Sequence, residues 1–144
     1  MIAGIVLAAG RSARLGRPKQ LLPLQGEPLL RFTLQRILTT NLDAVYVVLG
    51  YRADEIAGVV ADLPVQLVVN PDAELGQSTS VLAGLRAVAV DEPDAVMFLL
   101  GDQPEVRPAV VNALIARWQE THASVVVPRY TDGIGNPILF DRTV

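Results

Sequence analysis

The sequence predicts an α/β fold in which a doubly wound, mostly parallel sheet forms a single domain over residues 1–144. Apolar runs typical of buried strands alternate along the chain with segments whose apolar residues recur at helical spacing. Such alternation favours right-handed crossovers and a parallel sheet. The chain is 51% hydrophobic with few aromatic residues, and this aliphatic composition suits strands buried on both faces.

The first half of the chain supplies two strand–helix pairs. Residues 2–7 form an apolar run that leads into the small residues AAG, as expected of a buried strand and its exit. Residues 28–40 carry apolar side chains at helical spacing, with a proline near the start, where helices accept it. The run AVYVVL at 44–49 predicts a second buried strand, and residues 53–63 predict the helix after it.

The second half continues the alternation. A third strand is closed by the turn pair Asn70-Pro71, and a fifth is stopped by Pro128. The predicted elements in order are strand 65–69, helix 78–90, strand 94–100, helix 107–121, strand 124–127 and a short strand 138–140.

Composition excludes several classes of protein. The chain has no cysteine, which removes disulfides and thiolate metal sites and fits a reducing compartment. Its formal net charge of -3 argues against general nucleic-acid binding, because only one segment is basic. The first apolar run is too short for a signal sequence or a membrane span. We therefore expect a cytoplasmic protein that binds neither nucleic acid nor membranes.

The stretch 7–26, LAAGRSARLGRPKQLLPLQG, gathers positive charge at the end of the first strand. It holds Arg11, Arg14, Arg17 and Lys19, and no acidic residue occurs before Glu27. In open α/β sheets, ligands bind at the carboxyl ends of the strands. Glycines and other small residues allow a ligand to approach the backbone amides of this segment. Together with the four cationic side chains, these amides predict a site for a polyanion, most naturally a triphosphate. The alternative is that this segment is a basic loop that only faces water. The segment matches neither the glycine pattern of the P-loop nor that of dinucleotide-binding folds.

Two later segments belong to the same predicted site. In MFLLGDQPEV, Asp102 follows an apolar strand and is the candidate ligand for Mg²⁺, a hard ion that binds carboxylates and phosphates; the alternative is that Asp102 only caps a turn or helix. The segment GQSTS opens a helix, and Gln77 can read a base edge because its amide both donates and accepts. Ser78 and Ser80 either reach the base or ribose or simply cap the helix.

These residues resemble a known family. Positions 7–30 are similar to the signature of the molybdenum-cofactor nucleotidyltransferases, which lie within the wider group of NTP transferases. The signature pattern L-A-[AG]-G-x-[SG]-x-R-[ML]-G-x-x-K is matched in full, and L-L-P and G-x-P-L-L follow it. The resemblance extends to about residue 140. It implies the doubly wound fold and a further C-terminal helix, strand and acidic stretch, which this sequence lacks.

The resemblance also implies roles for the site residues. Lys19 would contact the phosphates near the reacting centre, Arg14 and Arg11 would hold the departing phosphates, and Asp102 would bind the metal. The segment GIGNP, at residues 133–137, resembles the family segment that faces the second substrate. The alternative interpretation of GIGNP is a tight turn before a short strand. The predicted nucleotide-binding residues are Leu7, Ala8, Ala9, Gly10, Arg11, Ser12, Gly16, Gln77, Ser78 and Ser80. The predicted acceptor-side residues are Gly135, Asn136 and Pro137.

The implied activity is transfer of a nucleoside monophosphate from an NTP to a molybdopterin-type cofactor phosphate, with release of pyrophosphate. The segments LAAG and GDQP resemble those of the cytidylyltransferase branch, which favours CTP as the nucleotide. The resemblance also implies a molybdoenzyme as the protein partner. Two alternatives stay open. One is a nucleotidyltransferase for a sugar phosphate or another small phosphate, and the other is a nucleotide-binding accessory protein without catalysis.

Overall fold

The computed structural model describes residues 1–10 and 18–144. Within them the strands are β1 (Ile2–Leu7), β2 (Pro23–Leu24), β3 (Glu27–Pro28), β4 (Ala44–Leu49), β5 (Gln66–Val69), β6 (Ala95–Leu100), β7 (Val125–Val126), β8 (Arg129–Tyr130), β9 (Gly133–Ile134) and β10 (Ile138–Asp141). The α-helices are α1 (Leu29–Ile37), α2 (Ala53–Val60), α3 (Gln77–Val88) and α4 (Pro108–Thr121). Short 3-10 turns lie at Lys19–Leu21, Ala73–Leu75 and Ala89–Asp91.

One six-stranded sheet organises the molecule, with the strand order β5-β4-β1-β6-β10-β7. β1 lies at its centre and pairs in parallel with both β4 and β6, so that Ile5 faces Tyr46 on one side and Phe98 on the other. β5 extends the parallel part, whereas β10 runs antiparallel to β6 and to β7. The carboxyl ends of β1, β4 and β6 therefore meet at one edge of the sheet.

Helices cover both faces of this sheet. On one face, α1, α2 and α4 bury side chains such as Leu34, Ile56 and Ile115 against the strands. On the other face, α3 packs through Val88 and neighbouring alanines against Ile5 and the rest of that sheet surface. Each fully buried aliphatic side chain contributes about 1.5–3 kcal/mol. The predicted doubly wound, mostly parallel α/β fold is thereby confirmed.

The differences from the sequence expectations lie at the edges. The third predicted strand forms the sheet edge, and it leaves Gln66, Leu67 and Val69 exposed instead of burying both faces. The pattern at 138–140 does not reveal that β10 inserts antiparallel between β6 and β7. Apolar periodicity reports burial and carries no information on strand direction in a short run. The two-residue hairpins β2/β3 and β8/β9 were not predicted either.

Across the part of the chain that the structure describes, none of the helices has both the length and the hydropathy needed to cross a bilayer.

Candidate nucleotide-binding site

A cavity of about 270 Å³ opens where β1 and β6 end. The exit of β1 forms one wall, and the start of α3 forms the opposite wall. The lining residues are Leu7, Ala8, Ala9, Gly10, Lys19, Gln20, Ala73, Gln77, Ser80, Leu100 and Asp102. The structure therefore places together eight of the predicted site residues from three separate stretches of sequence.

Lys19 and Asp102 face each other in this cavity. The Lys19 Nζ lies 3.6 Å from the Asp102 Oδ2, and both side chains are about half exposed, at 46% and 51%. The 3-10 turn that follows Pro18 carries Lys19, and Asp102 follows Gly101, whose N–H donates to the Leu7 carbonyl. A half-exposed pair of this kind stabilises the fold by at most about 1 kcal/mol, so a bound anion and cation can separate the two groups at little cost.

The chemistry of Asp102 fits a divalent metal held jointly with substrate. Among residues 1–10 and 18–144, no cluster of three or more potential ligand side chains occurs. A single carboxylate is nevertheless a fitting ligand for Mg²⁺, because this ion usually keeps several waters and takes the rest of its shell from substrate phosphates. Asp102 is the described carboxylate that lines this cavity.

Tight packing of small residues shapes the wall behind Ala8 and Ala9. A Cβ on Gly50 would lie 2.4 Å from the Ala73 Cβ and 3.1 Å from the Ala9 Cβ. A Cβ on Gly101 would lie 3.0 Å from the Ala8 Cβ. The strands on both sides of β1 thus end in glycines that let their backbones close in on the β1 exit.

The start of α3 is held by a residue that the sequence analysis missed. Asn70 is only 4% exposed, and its Nδ2 donates to the Thr79 Oγ1 and the Ser80 Oγ, each at 2.9 Å. Its Oδ1 accepts from the Asp72 N–H at 3.0 Å. The sequence signal was the pair Asn70-Pro71, which indicates a turn but not a buried network. This network fixes the end of β5 against α3.

The predicted α3 residues are not equivalent in the structure. Gln77 and Ser80 line the cavity, whereas Ser78 is exposed and is not part of its lining. Ser80 is 3% exposed, and its hydroxyl oxygen already accepts from Asn70, which leaves the hydroxyl proton for donation elsewhere. Their roles in nucleotide binding stay predictions.

A second cavity of about 740 Å³ adjoins the first, because Leu100 lines both. It contains the three predicted acceptor-side residues, Gly135, Asn136 and Pro137, and a cis peptide bond joins the last two. The Tyr130 hydroxyl donates to the Asn136 carbonyl at 2.8 Å, and a Cβ on Gly135 would lie 3.0 Å from the Tyr130 Cε2. Tyr130 was not anticipated, because only the fold brings β8 against the GIGNP turn.

The other lining residues of this second cavity are Leu99, Gln103, Glu105, Val106, Arg107, Thr131, Asp132 and Ile134. Arg107 adds a guanidinium to this wall and lies immediately before α4. Because the lining also carries the carboxylates of Glu105 and Asp132, this cavity presents charged groups of both signs to a polar ligand.

The predicted residues Arg11, Ser12, Arg14 and Gly16, together with Arg17, lie outside the described residues. Their predicted contacts with phosphates stay predictions from the sequence.

A further residue emerged only from the structure. Gln20 follows Lys19 and is 5% exposed, and its Nε2 donates to the Ala8 carbonyl at 2.7 Å and to the Gly10 carbonyl at 3.2 Å. It therefore ties the exit of β1 to the turn that carries Lys19. No sequence pattern marks it, because a glutamine beside two leucines gives no sign of where its amide points.

Comparison with known proteins agrees with this geometry. The model of the MobA-like NTP transferase domain matches residues 4–144. The purine catabolism protein PucB of Bacillus subtilis is 35% identical to this chain over an alignment of 149 positions. The alignment covers 99% of this chain and 71% of PucB.

Two solved structures are similar along almost the whole chain. The homologue of Mycobacterium tuberculosis Rv0371c from Mycobacterium sp. strain JC1 superimposes with a TM-score of 0.89 at 39% identity, covering 99% of this chain and 71% of that one. A manganese complex of Rv0371c from Mycobacterium tuberculosis H37Rv gives a TM-score of 0.79 at 33% identity, covering 99% and 72%. The chain thus spans about seven tenths of the length of these three relatives. The family model, the sequence identity and the shared sheet together show that the chain belongs to the MobA-like NTP transferase family.

Proposed function

We propose that the protein is a Mg²⁺-dependent nucleotidyltransferase that moves CMP from CTP to the phosphate of a molybdopterin-type cofactor. The observation that carries this proposal is the opposition of Lys19 and Asp102, 3.6 Å apart, in a cavity built from the β1 exit and the start of α3. A cation for phosphate oxygens and a carboxylate for a metal are the two groups that triphosphate chemistry needs at one place.

In the reaction, an oxygen of the acceptor phosphate attacks the α-phosphorus of the NTP in line. The new P–O bond forms as the bond to the β-phosphate oxygen breaks, and pyrophosphate leaves with the electron pair of that bond. The attacking oxygen is already anionic, so no general base is required. Catalysis then consists of positioning the two substrates and neutralising charge.

Each part of the site has a role in this scheme. Lys19 contacts oxygens near the α-phosphate, while Arg14 and Arg11 hold the leaving pyrophosphate. Asp102 holds the metal ion, which when bound neutralises phosphate charge and orients the triphosphate. The manganese complex of Rv0371c supports divalent-metal binding in a related chain.

The acceptor binds in the second cavity, beside Asn136 and Tyr130. Leu100 lines both cavities, so an acceptor there is adjacent to the nucleotide site. The identity of the acceptor as a molybdopterin-type cofactor and the choice of CTP both rest on the sequence resemblance. A molybdoenzyme that receives the product in the cytoplasm is the corresponding partner.

The first experiment uses the fact that Lys19 is the only lysine of the chain. Amine-specific acetylation then modifies only Lys19 and the Met1 α-amine, and mass spectrometry separates the two peptides. We expect CTP–Mg²⁺ to slow Lys19 acetylation by about tenfold at ten times its Kd, since only free protein reacts. The Met1 amine, which pairs with Asp94 at the opposite edge of the sheet, serves as the internal control.

The second experiment measures pyrophosphate release with each NTP in turn and a molybdopterin-cofactor acceptor. Lys19→Met and Asp102→Asn should each lower the rate by about 100-fold or more, because each removes one electrostatic stabiliser. Arg117→Met and Asp54→Asn alter exposed charges on α4 and α2 and should leave the rate unchanged. Protection of Lys19 without turnover would favour the accessory protein, and no protection by any NTP would refute the nucleotide site.

A further inference from the structure

Within residues 1–10 and 18–144, hydrogen-bond partners satisfy only the donor end of the Gln20 carboxamide. Its Nε2 makes two hydrogen bonds to carbonyl oxygens of the β1 exit. Its Oε1 is buried and has no hydrogen-bond partner within the part of the chain that the structure describes. Most buried polar side-chain atoms in proteins have a partner, so this acceptor calls for an explanation.

The orientation of the amide follows from its neighbours. Two carbonyl oxygens, of Ala8 and Gly10, lie within hydrogen-bond distance of one amide end. An amide oxygen in that position would face two other acceptors, so the NH₂ group must occupy it. The unpartnered atom is therefore an acceptor, and the ligand group that satisfies it must be a donor.

The location of Gln20 connects this acceptor with the nucleotide site. The residue lines the same cavity as Lys19, Asp102 and Ser80, and it is 5% exposed. Ionised phosphate oxygens only accept hydrogen bonds, so the triphosphate cannot satisfy Oε1. The donors that a nucleotide offers are the ribose hydroxyls and the amino group of the base.

We infer that Gln20 is a positioning residue for the nucleotide: its Nε2 fixes the backbone at the β1 exit, and its Oε1 accepts a hydrogen bond from the nucleoside part of the bound substrate. The inference rests on the proposed function, and it adds a contact that orients the nucleoside relative to Lys19. Through its backbone bonds, the same side chain couples the position of Lys19 to that of Ala8 and Gly10.

The test compares wild type with Gln20→Met, which keeps the length and volume of the side chain and removes its donor and acceptor. Gln66→Met on the exposed edge strand β5 is the matched control. Dissociation constants are measured by calorimetry with Mg²⁺ and CTP, 2′-deoxy-CTP, 3′-deoxy-CTP or UTP. Circular dichroism and thermal melting establish that each variant is folded.

We expect Gln20→Met to raise the Kd and the KM for CTP by about tenfold, the effect of one lost hydrogen bond. The KM for the acceptor should stay within about twofold. Wild type should lose affinity for at least one of the three analogues, and Gln20→Met should no longer distinguish that analogue from CTP. A merely structural role would lower the melting temperature and leave this discrimination intact.

Two results would overturn the inference while leaving the proposed function standing. In one, folded Gln20→Met binds CTP within twofold of wild type. In the other, wild type itself binds all three analogues as tightly as CTP, which needs no variant to observe. If wild type binds no nucleotide at all, the proposed function fails, and the inference fails with it.

Discussion

At the scale of single residues, Asp141 at the end of β10 shows how one carboxylate closes the C-terminal part of the sheet. Its Oδ2 accepts from the Thr143 hydroxyl at 2.7 Å and from the Thr143 N–H at 3.1 Å, while its Oδ1 accepts from the Trp118 Nε1 at 2.9 Å. These donors, with the Thr143 hydroxyl first, lower the pKa of Asp141 below its ordinary value. Ionised Asp141 thus links β10 to α4.

The sign of the resulting pH dependence follows from the lowered pKa. The stabilisation is fully present above the unfolded-state pKa, about 3.9, and is lost as the pH falls through the lower folded-state pKa. We therefore predict that Asp141→Asn melts below wild type at pH 7 and that the difference shrinks as the pH falls below about 4. Fluorescence of Trp118, the chain's only tryptophan, measures both melting curves. Asp132→Asn, at an exposed position, is the control. If the melting temperatures of Asp141→Asn and wild type differed by the same amount at every pH, the stabilising role of ionised Asp141 would be contradicted.

At the scale of elements, the position of α3 against the sheet depends on Gly84. A Cβ there would lie 2.7 Å from the Ile5 Cγ2 and 3.2 Å from the Val48 Cγ2, and both of those side chains are fully buried. The glycine therefore sets how closely α3 approaches β1 and β4. Because α3 begins at Gln77, this distance also sets the width of the cavity at the end of β1.

We predict that Gly84→Ala lowers the free energy of unfolding by about 1–3 kcal/mol, because the added methyl group overpacks the core. Gly58→Ala in α2 is a matched control, since a Cβ there meets nothing within 4 Å. That substitution should instead stabilise the protein by about 0.5–1 kcal/mol through helix propensity. Urea unfolding measures both values, and equal shifts of the same sign would refute the packing argument.

At the scale of the whole molecule, α3 leaves part of its sheet face uncovered. A mostly apolar groove of about 560 Å³ runs over β6 and β10 beside α3, and Val81, Leu85, Phe98 and Phe140 are among its lining residues. The rings of Phe98 and Phe140 meet edge to face with their centroids 5.9 Å apart. Contiguous exposed apolar surface of this kind attracts apolar ligands.

We predict that the native protein binds the dye ANS in this groove and that Leu85→Glu lowers the affinity by about tenfold, since a charge replaces apolar contact surface. Val90→Glu changes a valine that is 84% exposed and is not part of the groove lining, so it should leave dye binding unchanged. Dye fluorescence at constant protein concentration is the measurement. If both substitutions lowered the ANS affinity equally, the dye would bind to the protein surface in general and not to this groove.

The elements with strong periodicity could be predicted closely from the sequence. The bounds of β1 and β4 match the prediction, and the predicted helices end within a few residues of α1, α2, α3 and α4. These are long or fully buried segments in which local pattern and tertiary packing agree. The antiparallel insertion of β10 and the exposure of β5 could not be predicted, because both depend on which strand lies beside which.

The sequence by itself determined the class of fold, the family signature and the candidates Lys19 and Asp102, because glycine spacing, charge and apolar runs are local properties. Only the tertiary structure decided that these two side chains meet within 3.6 Å, that Ser80 lines the cavity and Ser78 does not, and that Asn70 and Gln20 are buried. The physical reason is that a buried amide is stabilised by partners on other elements, which only the folded chain brings within hydrogen-bond distance. Gln20 reaches the carbonyls of Ala8 and Gly10, and Asn70 reaches the hydroxyls at the start of α3.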